Sequence, residues 1–309
     1  MKSYKTINAY KHKNQPSAVA LGCFDGVHIG HSKIILNAIN EAEKASLKSV
    51  VLSFNEPPRN LFAKSDAEKV PLIIPINEKK KIIRKLGADT FIGVDFSKKI
   101  AELSPYEFFD KILIGALHAK HIFCGFNYRF GKNGSGDTKL LQSLCDNAGI
   151  KLSVTDEIKI DDKTVSSSAI RSLLANGDVI SAKKMLGRAY SIRSLVKIGQ
   201  RLGRKLGFPT INQTVPIDIP LLKNGVYLTK VKFSGKTKYG ITNIGFRPTV
   251  EESQFICETH IFDFNGDLYG KYVKVEFIDF IREERKFESL NELSAQVFED
   301  IKKAKEKIK

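Results

Sequence analysis

Two histidines, His28 and His31, stand three residues apart at the end of a glycine-rich turn. The turn follows an apolar run at 18–21, which is too short for a helix and is typical of a buried strand. After His31, apolar residues recur at helical spacing as far as Ile39. A glycine turn between a strand and a helix N-terminus presents backbone N–H groups and the positive end of the helix dipole. This arrangement predicts a phosphate-binding site with two imidazoles beside it.

A metal site is the alternative for the same H-x-x-H spacing. Asp25 is the obvious additional ligand in the turn, and the nearby sequence offers no larger cluster of ligands. Phosphate binding accounts at once for the glycines, the preceding strand and the following helix. The sequence therefore favours phosphate over metal at this turn.

A second glycine-rich loop runs from Gly125 to Asp137 and also follows an apolar run. It is not a P-loop, because five residues separate Gly125 from Gly131 and Asn133 stands where that loop needs a hydroxyl. By itself it is only a flexible glycine loop. Further on, the segment Ser166-Ser-Ser-Ala-Ile-Arg171 is typical of a helix start, and an arginine there could hold phosphate oxygens bidentately.

A third segment, from Gly199 to Asn212, combines spaced glycines with basic residues and could bind any anion, RNA phosphates included. Downstream lies Glu258, which by itself is typical of an outward-facing charge on a strand.

The elements that would position these segments fall into two groups. In the first half, strands at 49–54, 90–94 and 121–125 alternate with helices, one from Asn77 to Gly87 and one from Ser104 to about Leu117. Alternation predicts a mostly parallel, doubly wound sheet, whose ligands bind at the carboxyl ends of the strands.

From Tyr190 onwards, strands follow one another without helices, at 190–196, 225–233, 239–244, 255–262 and 272–280. This pattern predicts a small antiparallel barrel or sandwich. An amphipathic helix at about 289–305 closes the chain. We therefore predict two domains, residues 1–186 and 187–309.

Composition limits the class of protein and its partners. The 50 Lys and Arg against 34 Asp and Glu give a net charge of +16, which suits nucleic acid or phosphorylated small molecules. The cysteines carry no C-x-x-C pair and predict reduced thiols in a cytoplasmic protein; they are Cys23, Cys124, Cys145 and Cys257. We expect no secretion signal at the N-terminus, and no apolar run approaches membrane-spanning length.

The segment from Gly22 to His31 resembles the G-x-F-D-G-x-H-x-G-H signature of the H-x-G-H nucleotidyltransferase superfamily. Over roughly residues 15–300 the chain resembles the bacterial bifunctional riboflavin kinase/FAD synthetases. The segments that begin at Gly125, Ser166, Gly199 and Glu258 carry the resemblance, in the family's order. Asn55-Glu56 departs from the family, because it displaces the first proline of a loop segment.

The resemblance implies a Rossmann-like nucleotidyltransferase domain with a parallel sheet, followed by a small antiparallel β-barrel riboflavin kinase domain with a C-terminal helix. It implies catalytic roles for Glu258, His28 and His31. It assigns ATP and phosphate binding to Gly22, Phe24, Asp25, Gly30, Asn127, Ser167, Arg171, Gly199, Gly203, Arg204, Gly207 and Pro209. It assigns flavin binding to Phe130, Arg247 and Arg282, and Mg²⁺ binding to Thr210 and Asn212.

Two reactions follow from the resemblance: ATP phosphorylates riboflavin to FMN, and a second ATP adenylylates FMN to FAD with release of pyrophosphate. The expected partners are riboflavin, FMN, ATP and Mg²⁺, with no nucleic acid and no membrane, for a monomer or weak homo-oligomer. Three alternatives stand beside this reading. They are a monofunctional FAD synthetase with a degenerate kinase domain, a nucleotidyltransferase for another phosphate or alcohol, and a basic RNA-binding module.

Overall fold

The computed structural model of the chain describes residues 1–10, 15–199, 202–215, 222–247 and 254–308. Contacts between residues divide the chain into two compact units, Met1–Ser167 and Ser168–Lys309. The predicted boundary between residues 186 and 187 lies further along the chain and stays a prediction. Within the described residues, no helix combines the length and the hydropathy needed to cross a membrane.

The strands and helices are numbered in chain order. The strands are β1 Lys2–Tyr4, β2 Ser17–Leu21, β3 Lys48–Phe54, β4 Thr90–Val94, β5 Ala119–Gly125, β6 Lys151–Thr155, β7 Lys159–Ile160, β8 Lys163–Thr164, β9 Ser191–Lys197, β10 Thr210–Val215, β11 Gly225–Phe233, β12 Lys236–Arg247, β13 Gln254–Ile261 and β14 Tyr272–Arg282. The α-helices are α1 Ile29–Lys44, α2 Ile76–Leu86, α3 Lys98–Ala101, α4 Pro105–Glu107, α5 Thr138–Ala148, α6 Ser167–Ala175, α7 Val179–Leu186, α8 Leu202–Lys205 and α9 Leu290–Glu306.

The first unit contains a parallel sheet with the strand order β1-β4-β3-β2-β5-β6. After β2 the chain adds strands on one side, and with β5 it moves to the other side. The carboxyl end of β2 therefore lies at the switch point of the sheet, where open α/β sheets bind their ligands. The predicted doubly wound parallel sheet is confirmed.

Two local predictions in this unit are confirmed, and the structure differs from the prediction at two other places. Ser104 forms a capping box with Glu107, and Gly87 ends α2 in a left-handed conformation with φ of 104°. Asn77 does not cap α2, because the helix begins one residue earlier and Pro75 precedes it without a side-chain cap. The helix after α4 continues as a π-helix, Phe108–Ala116, where the sequence predicted a regular helix.

The second unit contains a closed barrel with the strand order β10-β13-β12-β11-β14-β9, in which the paired strands are antiparallel. The predicted antiparallel barrel is confirmed, although β10 was not predicted as a strand. Its sequence, Thr-Ile-Asn-Gln-Thr-Val, lacks the regular alternation of a half-buried strand, because the buried Gln213 stands where an apolar residue would continue the pattern. Helix α9, predicted as amphipathic, packs on the barrel through Val297, Ile301 and Ala304.

A buried ion pair joins α9 to the barrel. Asp300 is fully buried, and its carboxylate accepts hydrogen bonds from Arg282 Nε at 3.0 Å and Nη2 at 2.7 Å. Gln296 Nε2 donates to the same carboxylate at 2.8 Å. Because Arg282 at the end of β14 donates to the Asp300 carboxylate on α9, this ion pair holds the last helix at the end of β14.

Replacing Asp300 by alanine should destabilise the second unit by about 2–3 kcal/mol, because it leaves the Arg282 guanidinium largely buried without its partner. The expected loss is below the full range for buried pairs, since Arg282 keeps some solvent contact. Urea unfolding followed by circular dichroism measures it. Glu299→Ala, on an exposed position of the same helix, is the matched control. Equal stability of the two variants would contradict the anchoring role.

Candidate active sites

The loop after β2 holds both histidines and is tightly packed. Phe24 and Val27 are fully buried and adopt positive φ values of 50° and 40°, which are costly for residues with a Cβ. Such strained backbone persists where packing holds it, often at functional sites. The loop is therefore a rigid element at the switch point of the sheet.

Glycines in this loop make room for side chains of the loop itself. A Cβ on Gly22 would lie 2.7 Å from the ring of Phe24, and one on Gly30 would lie 3.2 Å from the ring of His28. Gly26 has φ of 81°, and a Cβ there would lie 2.9 Å from Ile73. The predicted turn is thus present, but two of its glycines accommodate the motif's own rings.

The two imidazoles stack on each other at the start of α1. Their ring centroids lie 3.5 Å apart with an interplanar angle of 19°, and the ring of Phe24 packs edge-on against His31 at 5.3 Å. His28 caps the helix, since its Nδ1 accepts the backbone N–H of His31 at 3.3 Å. Because Nδ1 accepts, the proton of neutral His28 lies on Nε2, which makes Nε2 a donor suited to a phosphate oxygen.

His31 is held in its neutral form. Burial, followed by the charges of His28 and Lys79, sets the pKa of His31 well below its ordinary value. Its buried Nδ1 has no hydrogen-bond partner within the described part of the chain. A buried polar atom without a partner is costly, and a substrate that supplied one would recover that cost.

The low pKa of His31 predicts a loss of stability in mild acid. Unfolded His31 binds a proton below about pH 6.5, whereas the folded protein excludes it until much lower pH. The free energy of unfolding should therefore fall by up to about 1.4 kcal/mol per pH unit below that point. Urea unfolding of the wild type and of His31→Gln from pH 8 to 5 measures the difference; curves that stay parallel would contradict it.

Asp25 and Ser167, both predicted phosphate ligands, stabilise the loop in this structure. The buried carboxylate of Asp25 accepts the backbone N–H of Ile73 at 3.1 Å. Ser167 Oγ donates to the backbone carbonyl of Asp25 at 3.0 Å. These bonds place both residues beside the histidine loop, where a role toward phosphate stays a prediction.

A buried lysine below the loop was missed by the sequence analysis. Lys79 on α2 is fully buried, and its Nζ donates to the carbonyls of Cys23 at 2.9 Å and of Phe54 at 2.8 Å. Its third partner is Ser53 Oγ at 3.4 Å. The available signal was its position four residues before Ile83, on the buried face of the predicted helix.

The loop from Gly125 follows β5, the strand beside β2, so both glycine loops lie at the same edge of the sheet. Asn127 is exposed there, with its Oδ1 3.5 Å from the position of a Cβ on Gly125. Phe130 is 5% exposed and packs with Phe108 in the hydrophobic core. Its ring offers little free surface, and the predicted flavin contact stays a prediction.

Arg171, the predicted phosphate ligand of the serine-rich segment, lies on α6 in the second unit. The helix begins at Ser167, in agreement with the predicted helix start. The role of Arg171 toward ATP stays a prediction.

In the barrel, the predicted kinase residues come together through strand register. Asn212 on β10 and Asn243 on β12 pair with Glu258 from either side, and Thr210 pairs with His260 on β13. Residues two apart on a strand share a face, so Thr210 and Asn212 lie on the same face as Glu258. Nothing in the spacing of the sequence predicted Asn243 as a neighbour of Glu258.

A cavity of about 190 Å³, called here the Glu258 cavity, opens among these residues. Its polar lining includes Thr210, Asn212, Asn243, Glu258 and Arg282, and α9 contributes Leu293 and Val297. Apolar walls with a few convergent polar groups are typical of a site for an aromatic ligand.

A second cavity of about 410 Å³, called here the Tyr269 cavity, adjoins it. It is lined by Arg204, Pro209 and Thr210 together with the loop from Phe264 to Tyr269. Thr210 lines both cavities. A group transferred between ligands in the two cavities would pass this side chain.

The glycines of the basic segment allow close packing around these cavities. A Cβ on Gly199 would lie 2.6 Å from Nδ2 of Asn212, and one on Gly203 would lie 2.5 Å from the carbonyl oxygen of Phe208. Gly207 adopts a φ of 89°. The lack of a Cβ at Gly199 and Gly203 and the left-handed backbone of Gly207 therefore allow this segment to pack closely, and Gly203 lines the Glu258 cavity.

The structure describes the side chain of only one of the two arginines predicted to bind flavin, Arg282. Arg282 lines the Glu258 cavity, but its guanidinium is bound to Asp300 and to the carbonyl of Glu283 at 2.9 Å. The side chain of Arg247 lies outside the described atoms. Flavin contacts of both arginines stay predictions.

The residues predicted to hold Mg²⁺ fit that ion by their chemistry. Thr210 and Asn212 offer a hydroxyl and an amide oxygen at the cavity, and Mg²⁺ prefers oxygen ligands completed by water and substrate phosphates. The described residues contain no group of three or more His, Cys, Asp or Glu side chains placed to hold a metal.

Comparisons with known proteins cover both halves of the chain. A family model described as FAD synthetase matches residues 10–169, and one described as riboflavin kinase matches residues 186–308. The chain is also similar to the crystal structure of a protein described as a macrolide-efflux protein from Streptococcus pneumoniae, with 29% identity, a TM-score of 0.89 and coverage of 98% of each chain.

Relatives of similar length carry both activities in their names. The bifunctional riboflavin kinase/FMN adenylyltransferase of Bacillus subtilis is 37% identical over 298 residues, which cover 95% of this chain and 93% of that protein. The protein of the same name from Escherichia coli K12 is 33% identical over 99% of this chain and 97% of its own. Because both halves match, the alternative of a monofunctional synthetase is set aside. The chain belongs to the family of bifunctional riboflavin kinase/FMN adenylyltransferases.

Proposed function

We propose that the barrel converts riboflavin to FMN and that the histidine loop of the first unit converts FMN to FAD. The register that places Glu258 between Asn212 and Asn243, in a cavity adjoining a second one through Thr210, supports the kinase assignment. The stacked histidines at a helix N-terminus support the adenylyltransferase assignment.

In the barrel, riboflavin would occupy the Glu258 cavity and ATP the Tyr269 cavity. The carboxylate of Glu258 accepts the proton of the 5′-hydroxyl, whose oxygen attacks the γ-phosphorus of ATP. The bond to ADP breaks, and FMN forms. Positioning and charge stabilisation account for most of the catalysis of such transfers. The basic Arg204 and the backbone around Gly203 and Gly207 would hold the phosphates.

The proposed kinase site also includes a Mg²⁺ ion. Thr210 and Asn212 would hold the ion, which would neutralise charge on the phosphates of ATP. Their oxygen atoms suit it, and they line the Glu258 cavity from the same strand face.

In the first unit, an oxygen of the FMN phosphate attacks the α-phosphorus of a second ATP. Pyrophosphate leaves, and no covalent enzyme intermediate is needed. His28 would donate from Nε2 to the phosphate, while the first turn of α1 presents the N–H groups of Ile29 and Gly30. Neutral imidazole donors and backbone amides stabilise charge on the phosphorus without proton transfer. Arg171, Gly22 and Asn127 are the further proposed contacts.

The same assignment implies small-molecule substrates only, without nucleic acid, for a cytoplasmic monomer or weak homo-oligomer. The four cysteines form no disulfide within the described residues, and three of them are buried, which suits a reducing compartment. We also keep residues 1–186 and 187–309 as the proposed domains, since the second family match begins at residue 186.

Light scattering on a sizing column tests the oligomeric state. Titration with labelled single-stranded RNA at 150 mM salt tests the RNA alternative.

Product analysis tests the whole proposal. The purified chain, mixed with riboflavin, ATP and Mg²⁺ under reducing conditions, should form FMN first and then FAD, with ADP and pyrophosphate as by-products. Omission of Mg²⁺ should stop FMN formation. Failure to form FMN or FAD with all components present would refute the bifunctional assignment.

A further inference from the structure

Lys79 differs from the other described lysines, because it is fully buried. Burying an ammonium group is costly unless every donor finds an acceptor. Here the three donors of Nζ meet three acceptors, which are the carbonyls of Cys23 and Phe54 and the hydroxyl of Ser53. Ser53 in turn donates to the carbonyl of Cys23 at 2.7 Å. The arrangement matches a charged –NH₃⁺ group.

The acceptors of Lys79 come from the two strands that lead into the site. Phe54 is the last residue of β3, and Cys23 follows β2 by two residues. Carbonyls at the carboxyl ends of neighbouring parallel strands carry partial negative charge, so a cation between them holds the two ends together. Through its hydrogen bond to the carbonyl of Cys23, Lys79 fixes the start of the loop that ends at His28.

Lys79 also acts on the histidines through its charge. Burial contributes most to the low pKa of His31, and the charges of His28 and Lys79 lower it further. Burial lowers the pKa of Lys79 itself, and Cys23 and Asp25 in the loop partly offset that effect. A positive charge in a poorly hydrated place acts more strongly than one in water. The same charge attracts the phosphates of a bound nucleotide.

We propose that Lys79 is a positioning residue for adenylyl transfer, holding the start of the histidine loop against the end of β3 through its hydrogen bonds to the carbonyls of Cys23 and Phe54. The inference rests on the proposed assignment of adenylyl transfer to His28 and His31. It adds a residue that contacts the backbone of the loop and acts on the substrates through it.

Lys79→Met, which keeps the length of the side chain and removes its charge, is the first test. FAD formation from supplied FMN should fall at least about tenfold in kcat, while riboflavin phosphorylation by the same molecules stays within twofold and reports an intact barrel; circular dichroism reports whether the first unit is folded. The matched control is Lys81→Met, an exposed lysine on the same helix that pairs with Glu78. It should leave both activities unchanged.

The pH profile separates positioning from mere loss of packing. Without the Lys79 charge the pKa of His31 rises, so the acid limb of kcat/KM for FAD formation should move to higher pH. The groups that face His31 and could share this limb are His28 and Lys79, and Asp25 lies in the same loop. Unchanged kcat, or a reduced kcat with an unmoved limb, would overturn the proposal.

A second variant tests the proposal in case Lys79→Met does not fold. Ser53→Ala removes one acceptor of Lys79 and one donor to Cys23 with little change in buried volume. FAD formation should fall at least threefold with the kinase rate unchanged, and an unchanged rate would overturn the proposal. His28→Asn with His31→Gln is assayed in parallel. If the double histidine variant still forms FAD, the assignment of adenylyl transfer to this loop fails. If the double histidine variant loses FAD formation but Lys79→Met keeps it, only the role of Lys79 fails.

Discussion

Replacing Glu258 by glutamine is expected to lower the kcat of riboflavin phosphorylation by about 10³-fold, within the range attributed to a general base. Glutamine keeps the size of the side chain and its hydrogen-bonding capacity but cannot accept the proton of the 5′-hydroxyl. FMN should still be converted to FAD at the wild-type rate, because Glu258 belongs to the barrel and the histidine loop belongs to the first unit. Separate assays with riboflavin and with FMN measure both rates.

The control for Glu258→Gln is Asp263→Asn. Asp263 follows the same strand and is exposed, and its carboxylate lies 3.8 Å from Lys305 Nζ; its bond from Lys238 goes to the backbone carbonyl, which asparagine keeps. Its φ of 51° is one that asparagine tolerates. The variant removes one negative charge at the end of β13 and should leave both rates unchanged. A kcat for Glu258→Gln within threefold of the wild type would remove Glu258 from the role of base.

The architecture could be predicted because the hydrophobic pattern and the strand spacing agree in each half. Strand β2 is fully buried and apolar, and hairpin signals such as Ser234-Gly235 fall between β11 and β12, where the chain turns. Short edge strands such as β1 carry no comparable pattern, since their residues are mostly exposed. The closure of the barrel depends on the pairing of β9 with β10, which no local pattern specifies.

The site was predictable where its residues form one continuous motif and not where they come from distant strands. His28, His31 and their glycines lie within ten residues. Lys79 reaches the loop from a helix 56 residues away from Cys23 along the chain, and Asn243 meets Glu258 only through the register of β12 and β13. The glycines show a further limit. Gly22 and Gly30 are required by contacts with Phe24 and His28, which only coordinates reveal.

Removal of both imidazoles, as His28→Asn with His31→Gln, is expected to lower the kcat of FAD formation from FMN by about 10³-fold, the scale of losing preorganised donors to the transition state. Asparagine at position 28 can still cap α1, so the variant does not forfeit the helix start. The two rings stack, and their effects should be non-additive: each single variant should lose most of what the pair loses.

Riboflavin phosphorylation in the same variant should keep its wild-type rate, which reports an intact barrel. His121→Gln is the matched control, since His121 lies in the same sheet on β5 and bonds to Ser153 at 2.8 Å, away from the loop. If FAD formation survives the loss of both histidines, adenylyl transfer does not take place at this loop. A loss of both activities would contradict the separation of the sites, because the two reactions would then depend on one set of residues.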